Sequence, residues 1–172
     1  MRCILFRHGI AVEWHNWNGE DKERPLTEDG LKKTQKIAQG LLQLQVRPTQ
    51  LLCSPFMRTQ QTATILQQVL GFSEDPQLCP ELLSEASPEN FVGLLSSFSH
   101  NDTILCVGHQ PHLGHTAGIM VFGQPVPGLA LKRAGACSLF FEKTPRPGAG
   151  ILEWWAPPSH LERLSYRPEK NE

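Results

Sequence analysis

Short apolar runs alternate along this chain with longer stretches of helical periodicity. Residues 2–7 (RCILFR) are apolar without regular alternation, the pattern of a strand covered on both faces. TQLLC at 49–53 and TILCV at 103–107 repeat it, and 136–142 and 150–155 are two further strand candidates. Between the first two runs, Leu31, Thr34, Ile37, Ala38, Leu41 and Leu42 recur at helical spacing. Thr27 precedes them as a cap, with Glu28 and Asp29 in the first turn, where the helix dipole favours acids. A second helix is predicted over Met57–Leu70, with Ala63, Leu66, Val69 and Leu70 as its apolar face and Gly71 as its stop. Ser87-Pro88-Glu89 opens a helix over 88–98, and another is expected near 112–122. Residues 10–25 read as a loop, and KTPRPGAG at 143–150 as the loop of a hairpin.

Strands alternating with helices predict an α/β layered domain whose early strands are parallel and whose last two pair at an edge. In such sheets, ligands bind beyond the carboxyl ends of strands. The 172 residues suit one domain over 1–164 with a polar tail at 165–172. The balance of 40% hydrophobic and 19% charged residues is that of a soluble globule. A net charge of −1 without a basic block argues against nucleic acid or an anionic membrane as partner, so an anion site must be made locally by a few arginines. No run is long enough to span a bilayer and no signal peptide opens the chain, so a cytoplasmic location is expected. The five cysteines are odd in number and lie mostly in apolar runs, which predicts free, buried thiols.

Three strand ends carry the chemistry. The first ends in Arg7-His8-Gly9, the second leads through CSPFMRTQQT (53–62) to Arg58 in the first turn of a helix, and the third runs into VGHQPH (107–112) with His109 just past the strand. Two arginines and two histidines at adjacent strand ends make a small cationic pocket. A helix N-terminus beside Arg58 adds a favourable dipole for an anion, and the guanidinium fork suits phosphate oxygens. Positive neighbours depress a histidine pKa, so His8 is expected to be neutral and nucleophilic, with His109 donating to a phosphoryl oxygen. His109, His112 and His115 also stand at three-residue spacing, but Pro111 and the turn before the helix separate the first from the other two, and no metal site is expected. Trp14 and Trp17 fall in the loop near the pocket mouth, where they pack on their own domain or meet a partner.

FRHG, SPFMRTQQT and VGHQPHLG, in this order, resemble the motifs of the histidine phosphatase superfamily, the phosphoglycerate mutase-like proteins with an RHG signature. RPLTEDG at 24–30 and PEL at 80–82 are similar to bacterial phosphohistidine phosphatases of the SixA type. The resemblance covers most of residues 2–155. It implies a three-layer α/β/α fold with a mostly parallel central sheet and helices on both faces. It implies His8 as the phosphorylated nucleophile, with Arg7, Arg58 and His109 as the phosphate pocket and Arg24 close by. No metal or organic cofactor is implied. Many relatives carry a glutamate that protonates a leaving alcohol. The corresponding stretch here, CPELLSEASPE, aligns Ser84 at that place, with Glu81 and Glu85 offset from it as candidate acids. Acid catalysis contributes about 10²–10⁴-fold. A phosphohistidine can instead leave as a neutral imidazole protonated from water. The expected substrate is therefore a histidine-phosphorylated protein, such as a phosphotransfer domain of a signalling relay or a phosphocarrier. The alternatives are a small-molecule phosphomonoesterase and a non-catalytic phosphoprotein-binding module.

Overall fold

A computed structural model describes residues 1–166. Its centre is a six-stranded sheet ordered β3-β2-β4-β1-β5-β6. The strands are β1 (Arg2–Arg7), β2 (Gln50–Cys53), β3 (Gln77–Leu78), β4 (Thr103–Gly108), β5 (Ala136–Phe140) and β6 (Ile151–Ala156). The first four are mutually parallel, whereas β5 runs antiparallel to β1 and β6 antiparallel to β5 at the edge. Among the described residues the α-helices are α1 (Glu28–Gln43), α2 (Met57–Leu70), α3 (Pro88–Leu95), α4 (His112–Phe122) and α5 (Pro158–Ser165).

Side chains of the buried strands divide between two cores, as the period of two requires. Cys3, Leu5 and Cys106 face one side, where Phe91 and Leu95 of α3 and Leu113 and Met120 of α4 cover them. Ile4, Phe6, Leu105 and Val107 face the other, beneath Ile37 and Leu41 of α1, Leu66 of α2 and Leu161 of α5. The result is the three-layer α/β/α sandwich with a mostly parallel sheet that the sequence implies. All five cysteines are free and buried. Trp154 and Trp155 pack on opposite cores, as neighbours in a strand must, and both are half-buried.

Local signals account for most boundaries. Thr27 accepts from the Gly30 N–H as the cap of α1, and Gly71 closes α2 in the left-handed conformation. The third helix is shorter than the predicted 88–98. It stops at Leu95, after which the Ser96 and Ser97 hydroxyls donate back to the Gly93 and Leu94 carbonyls. Two elements carry no pattern of their own, the two-residue β3 and α5. The predicted boundary at 164 falls in the last turn of α5, and residues 167–172 of the predicted tail lie outside the described residues. Among the described residues, no helix is long and apolar enough to cross a membrane.

Candidate active site

The carboxyl ends of β1, β2 and β4 lie together because the three strands are parallel neighbours. Arg7 stands opposite Gly108, and Cys53 opposite Val107. The chain leaving each strand is then tied to the next. The His8 N–H donates to the Gly108 carbonyl at 3.1 Å, and the Ser54 N–H to the Val107 carbonyl at 3.0 Å. The Gly9 N–H donates to Thr62 Oγ1 at 3.1 Å, and a Cβ at this position would run into Thr34 Oγ1. Only glycine lets the chain after His8 pass this close to α1 and α2.

His8 and His109 are buried and face each other, with ring centroids 5.3 Å apart. His8 Nδ1 lies 2.7 Å from the Gly9 carbonyl. A carbonyl only accepts, so Nδ1 carries the proton and Nε2 keeps its lone pair. Burial pushes the His8 pKa down to about 3. The hydrogen bond to Gly9 opposes this, and the charges of Arg58, Arg7 and Arg133 reinforce it. The depressed pKa expected from the sequence is present, but burial rather than neighbouring charge is its main cause. His109 is pushed down to about 2, by burial first and then by His8 and Arg58. Its Nε2 meets Ser54 Oγ at 2.8 Å, and its Nδ1 has no protein partner.

Arg58 is the second residue of α2 and is buried. Its Nη1 and Nη2 donate to the Asp21 carbonyl (2.9 Å) and Asp21 Oδ2 (3.0 Å), and its guanidinium lies over the Phe56 ring. Arg7 Nη1 donates to the Leu131 carbonyl at 2.9 Å. Neither Arg7 Nε nor Arg58 Nε has a partner. His109 Nδ1 is likewise without a protein partner, and the charges of Arg7 and Arg58 both reach His8, a setting that favours an anion.

Arg24 stands one step back. Its Nε donates to Asp21 Oδ1 at 2.8 Å and its Nη1 to the Val12 carbonyl at 2.6 Å, so it reaches Arg58 through a shared carboxylate. Burial raises the Asp21 pKa, but bonds from Arg24 and Arg58 outweigh it and hold the carboxyl below its ordinary value. Asp21, and the separate pair Glu13–Arg133, were not anticipated. The Asp21–Arg24 spacing of three is readable in a sequence, but its link to Arg58 is not. Arg133 pairs with Glu13 (2.6 Å), and nothing local to either predicts the other.

Glu81 lies on a 3₁₀ turn (Pro80–Leu82) beside the ends of β2 and β4, where the Cys79 N–H donates to the Cys53 carbonyl. The Cys79 thiol donates to its carboxylate at 3.3 Å, and Glu85 accepts from the Ser84 hydroxyl. Neither glutamate is hydrogen-bonded to His8, His109, Arg7 or Arg58. His112 is buried against Phe91, and His115 on the same helix is exposed. No cluster of three or more metal-ligating side chains occurs among the described residues. Trp14 is exposed, whereas the Trp17 indole N–H is fixed to the Glu20 carbonyl.

Comparison with known proteins identifies the family and the fold. Residues 3–103 match the model of the histidine phosphatase superfamily (branch 1). An uncharacterized protein of Picosynechococcus sp. is 37% identical over 141 residues, 81% of this chain and 84% of that protein. Phosphohistidine phosphatase SixA of Escherichia coli is 26% identical over 167 residues, 94% of this chain and 96% of the relative. The solved structure of protein histidine phosphatase SixA complexed with tungstate superposes with a TM-score of 0.82 at 23% identity, covering 94% and 99% of the two chains. The fold is also that of alpha-ribazole phosphatase from Shigella flexneri, at a TM-score of 0.73, 18% identity and 92% and 97% coverage. The chain belongs to the histidine phosphatase superfamily.

Proposed function

We propose that this protein is a phosphohistidine phosphatase that removes phosphate from a histidine-phosphorylated partner protein through a phospho-His8 intermediate. The observation that carries this reading is the environment of His8. Its Nε2 is unprotonated, the His109 ring faces it, the charges of Arg7 and Arg58 reach it, and Arg7 Nε, Arg58 Nε and His109 Nδ1 have no protein partner. That His8 pKa keeps the imidazole neutral, hence nucleophilic, at neutral pH.

The chemistry follows from these positions. Nε2 attacks phosphorus in line as the bond from phosphorus to the substrate nitrogen breaks. The bonding pair stays on the substrate imidazole, which takes a proton from water at its other nitrogen and leaves neutral. Arg7 and Arg58 hold the equatorial oxygens. With Ser54 donating its hydroxyl proton to His109 Nε2, His109 Nδ1–H donates to the developing charge. Phospho-His8 carries positive charge on its ring, and the Nδ1–H bond to Gly9 stabilises it. Water then attacks phosphorus, gives up a proton to solvent and returns His8. Arg24 is a positioning residue in this scheme, since it braces Asp21, which braces Arg58.

An imidazole leaving group suits a site in which Glu81 and Glu85 are bonded to their own neighbours. Similarity to SixA supports the same substrate class. The second reading is a small-molecule phosphomonoesterase, favoured by the position of the Glu81 turn beside the strand ends and by the fold shared with alpha-ribazole phosphatase. The test is phosphate release from a histidine-phosphorylated protein and from a panel of alkyl phosphates, with no added metal. Release from the phosphoprotein is expected to fall at least about 10³-fold in His8→Ala. Faster turnover of an alkyl phosphate, lost in Glu81→Gln or Glu85→Gln, would establish the second reading instead.

A further inference from the structure

Arg133 occupies a turn that is built onto the nucleophile. Ala134 has a φ of 60°, a left-handed conformation that costs a side chain strain. In this conformation its N–H donates to both the Arg7 carbonyl (3.1 Å) and the His8 carbonyl (3.0 Å). The Arg7 N–H donates to the Gly135 carbonyl, and Arg7 Nη1 to that of Leu131. Residues 131–135 are thus fixed on either side of Arg133 by the two residues that begin the site. The Arg133 charge reaches both His8 and Arg7.

Depth separates this arginine from the others. The side chains of Arg58 and Arg24 are 6% and 14% exposed and are committed to Asp21. That of Arg133 is 38% exposed, at the rim, where the body of a substrate must emerge once its phosphoryl group lies against buried His8. Arg133 also already holds a carboxylate in two-point fashion, with Nη1 at 2.6 Å and Nη2 at 3.4 Å from the two oxygens of Glu13. Glu13 is an exposed loop residue whose carboxylate has no other hydrogen bond among the described residues, and exposed pairs of this kind contribute little to stability. Arg133 also borders a crevice of about 230 Å³ on the side of α1 and α5, lined with Ile10, Thr34, Ala134, Pro158 and Glu162, so its guanidinium is not packed in on that side.

We infer that Arg133 is a specificity-determining residue, exchanging Glu13 for a carboxylate that the substrate carries beside its phosphoryl group. The inference rests on the phosphatase reading and deepens it: the preferred phosphohistidine has an acidic neighbour. Glu13 is the internal competitor for the same fork.

Two substrate pairs test it. Phosphohistidine and phosphohistamine differ only in a carboxylate, as do phosphoserine and phosphoethanolamine. The quantity to measure is the ratio of kcat/KM within each pair, for the wild-type chain, Arg133→Gln and Glu13→Gln. Arg133→Gln is expected to lower the ratio about tenfold, through KM, and Glu13→Gln to raise it. An equal loss on both members of a pair would place Arg133 in the phosphoryl pocket and overturn the inference. An unchanged ratio would also overturn it, leaving an ordinary surface ion pair. Failure of the phosphohistidine reading shows separately, as wild-type turnover of the alkyl pair alone, and the ratio within that pair still decides the role of Arg133.

Discussion

The floor and the rim of the pocket are held by opposite means. On the floor, His8, Ser54 and His109 are set by strand ends whose backbones bond one another, and all three are buried. On the rim, the segment 10–25 is closed on itself by the Val12 N–H bond to the Pro25 carbonyl and tied across the pocket by two ion pairs, Asp21–Arg58 and Glu13–Arg133, the first reinforced by a bond from Arg58 to the Asp21 carbonyl. Backbone bonds within a sheet do not depend on pH or salt, whereas ion pairs depend on both. The difference gives the site a fixed place for phosphorus and an adjustable surround. Asp21 belongs to both regions, since it lies in the rim segment but grips a buried guanidinium.

The largest effect that separates the two regions is the response of stability to acid. His8 and His109 have folded pKa values of about 3 and about 2. Unfolded histidine titrates near 6.5. Below that value the unfolded chain takes up protons that the folded chain refuses, so stability is lost as pH falls. The loss continues until pH reaches the folded values. Each histidine sets a limiting slope of about 1.4 kcal/mol per pH unit. Urea denaturation at pH 7 and pH 5 is expected to differ by up to about 4 kcal/mol from this pair, about 2 from each histidine. A His8→Ala/His109→Ala double variant is expected to show a visibly flatter dependence. An unchanged slope in the double variant would mean that the floor is more open to water than its burial indicates.

A smaller effect tests the residue shared by both regions. Asp21→Asn keeps shape but removes the charge that Arg58 and Arg24 share. Breaking a fully buried pair costs about 3–5 kcal/mol. Asp21 is 38% exposed, which reduces that substantially, and a loss of about 1 kcal/mol in stability is expected. Activity is expected to fall about tenfold, because Arg58 loses its alignment. A urea melt and kcat/KM on one preparation would check both, and added salt should not restore the activity.

His8 and His109 were legible in the sequence because the motifs that carry them are local, whereas Ser54 was not singled out, since its bond to His109 joins positions 55 residues apart. Each strand end announces itself in three to ten consecutive residues, and the sheet brings the ends together automatically once the strands are parallel. The boundaries of β1 and α2 follow from apolar runs and from Gly71 for the same reason. The rim was not legible because its bonds join distant positions. Glu13 and Arg133 are separated by 120 residues, and Asp21 and Arg58 by 37. Nothing at Asp21 distinguishes it from Glu20 or Glu23 until the loop is placed over α2. The short α5 was missed for a related reason. Its buried contact is the single residue Leu161, laid against Gly40 of α1, where a Cβ would run into the Leu161 backbone. Leu161 and Leu164 stand three apart, but two apolar positions in eight residues are too few to read as a period.

The smallest expected effect draws the sharpest line between the two ion pairs. Glu13 and Arg133 are both well exposed, so their attraction is screened by water and salt, and holding two long side chains together costs entropy. Glu13→Gln should leave stability almost unchanged, and what change there is should vanish as salt is raised from 0.05 to 0.5 M, roughly a threefold shortening of the screening length. Asp21→Asn should retain most of its cost over the same range, because Arg58 is shielded from solvent. A salt titration of the two variants in parallel melts therefore measures how far into the pocket solvent reaches. If both costs fell together, Asp21 would belong wholly to the rim. Arg58 would then be held in place by Phe56 and the helix rather than by its carboxylate.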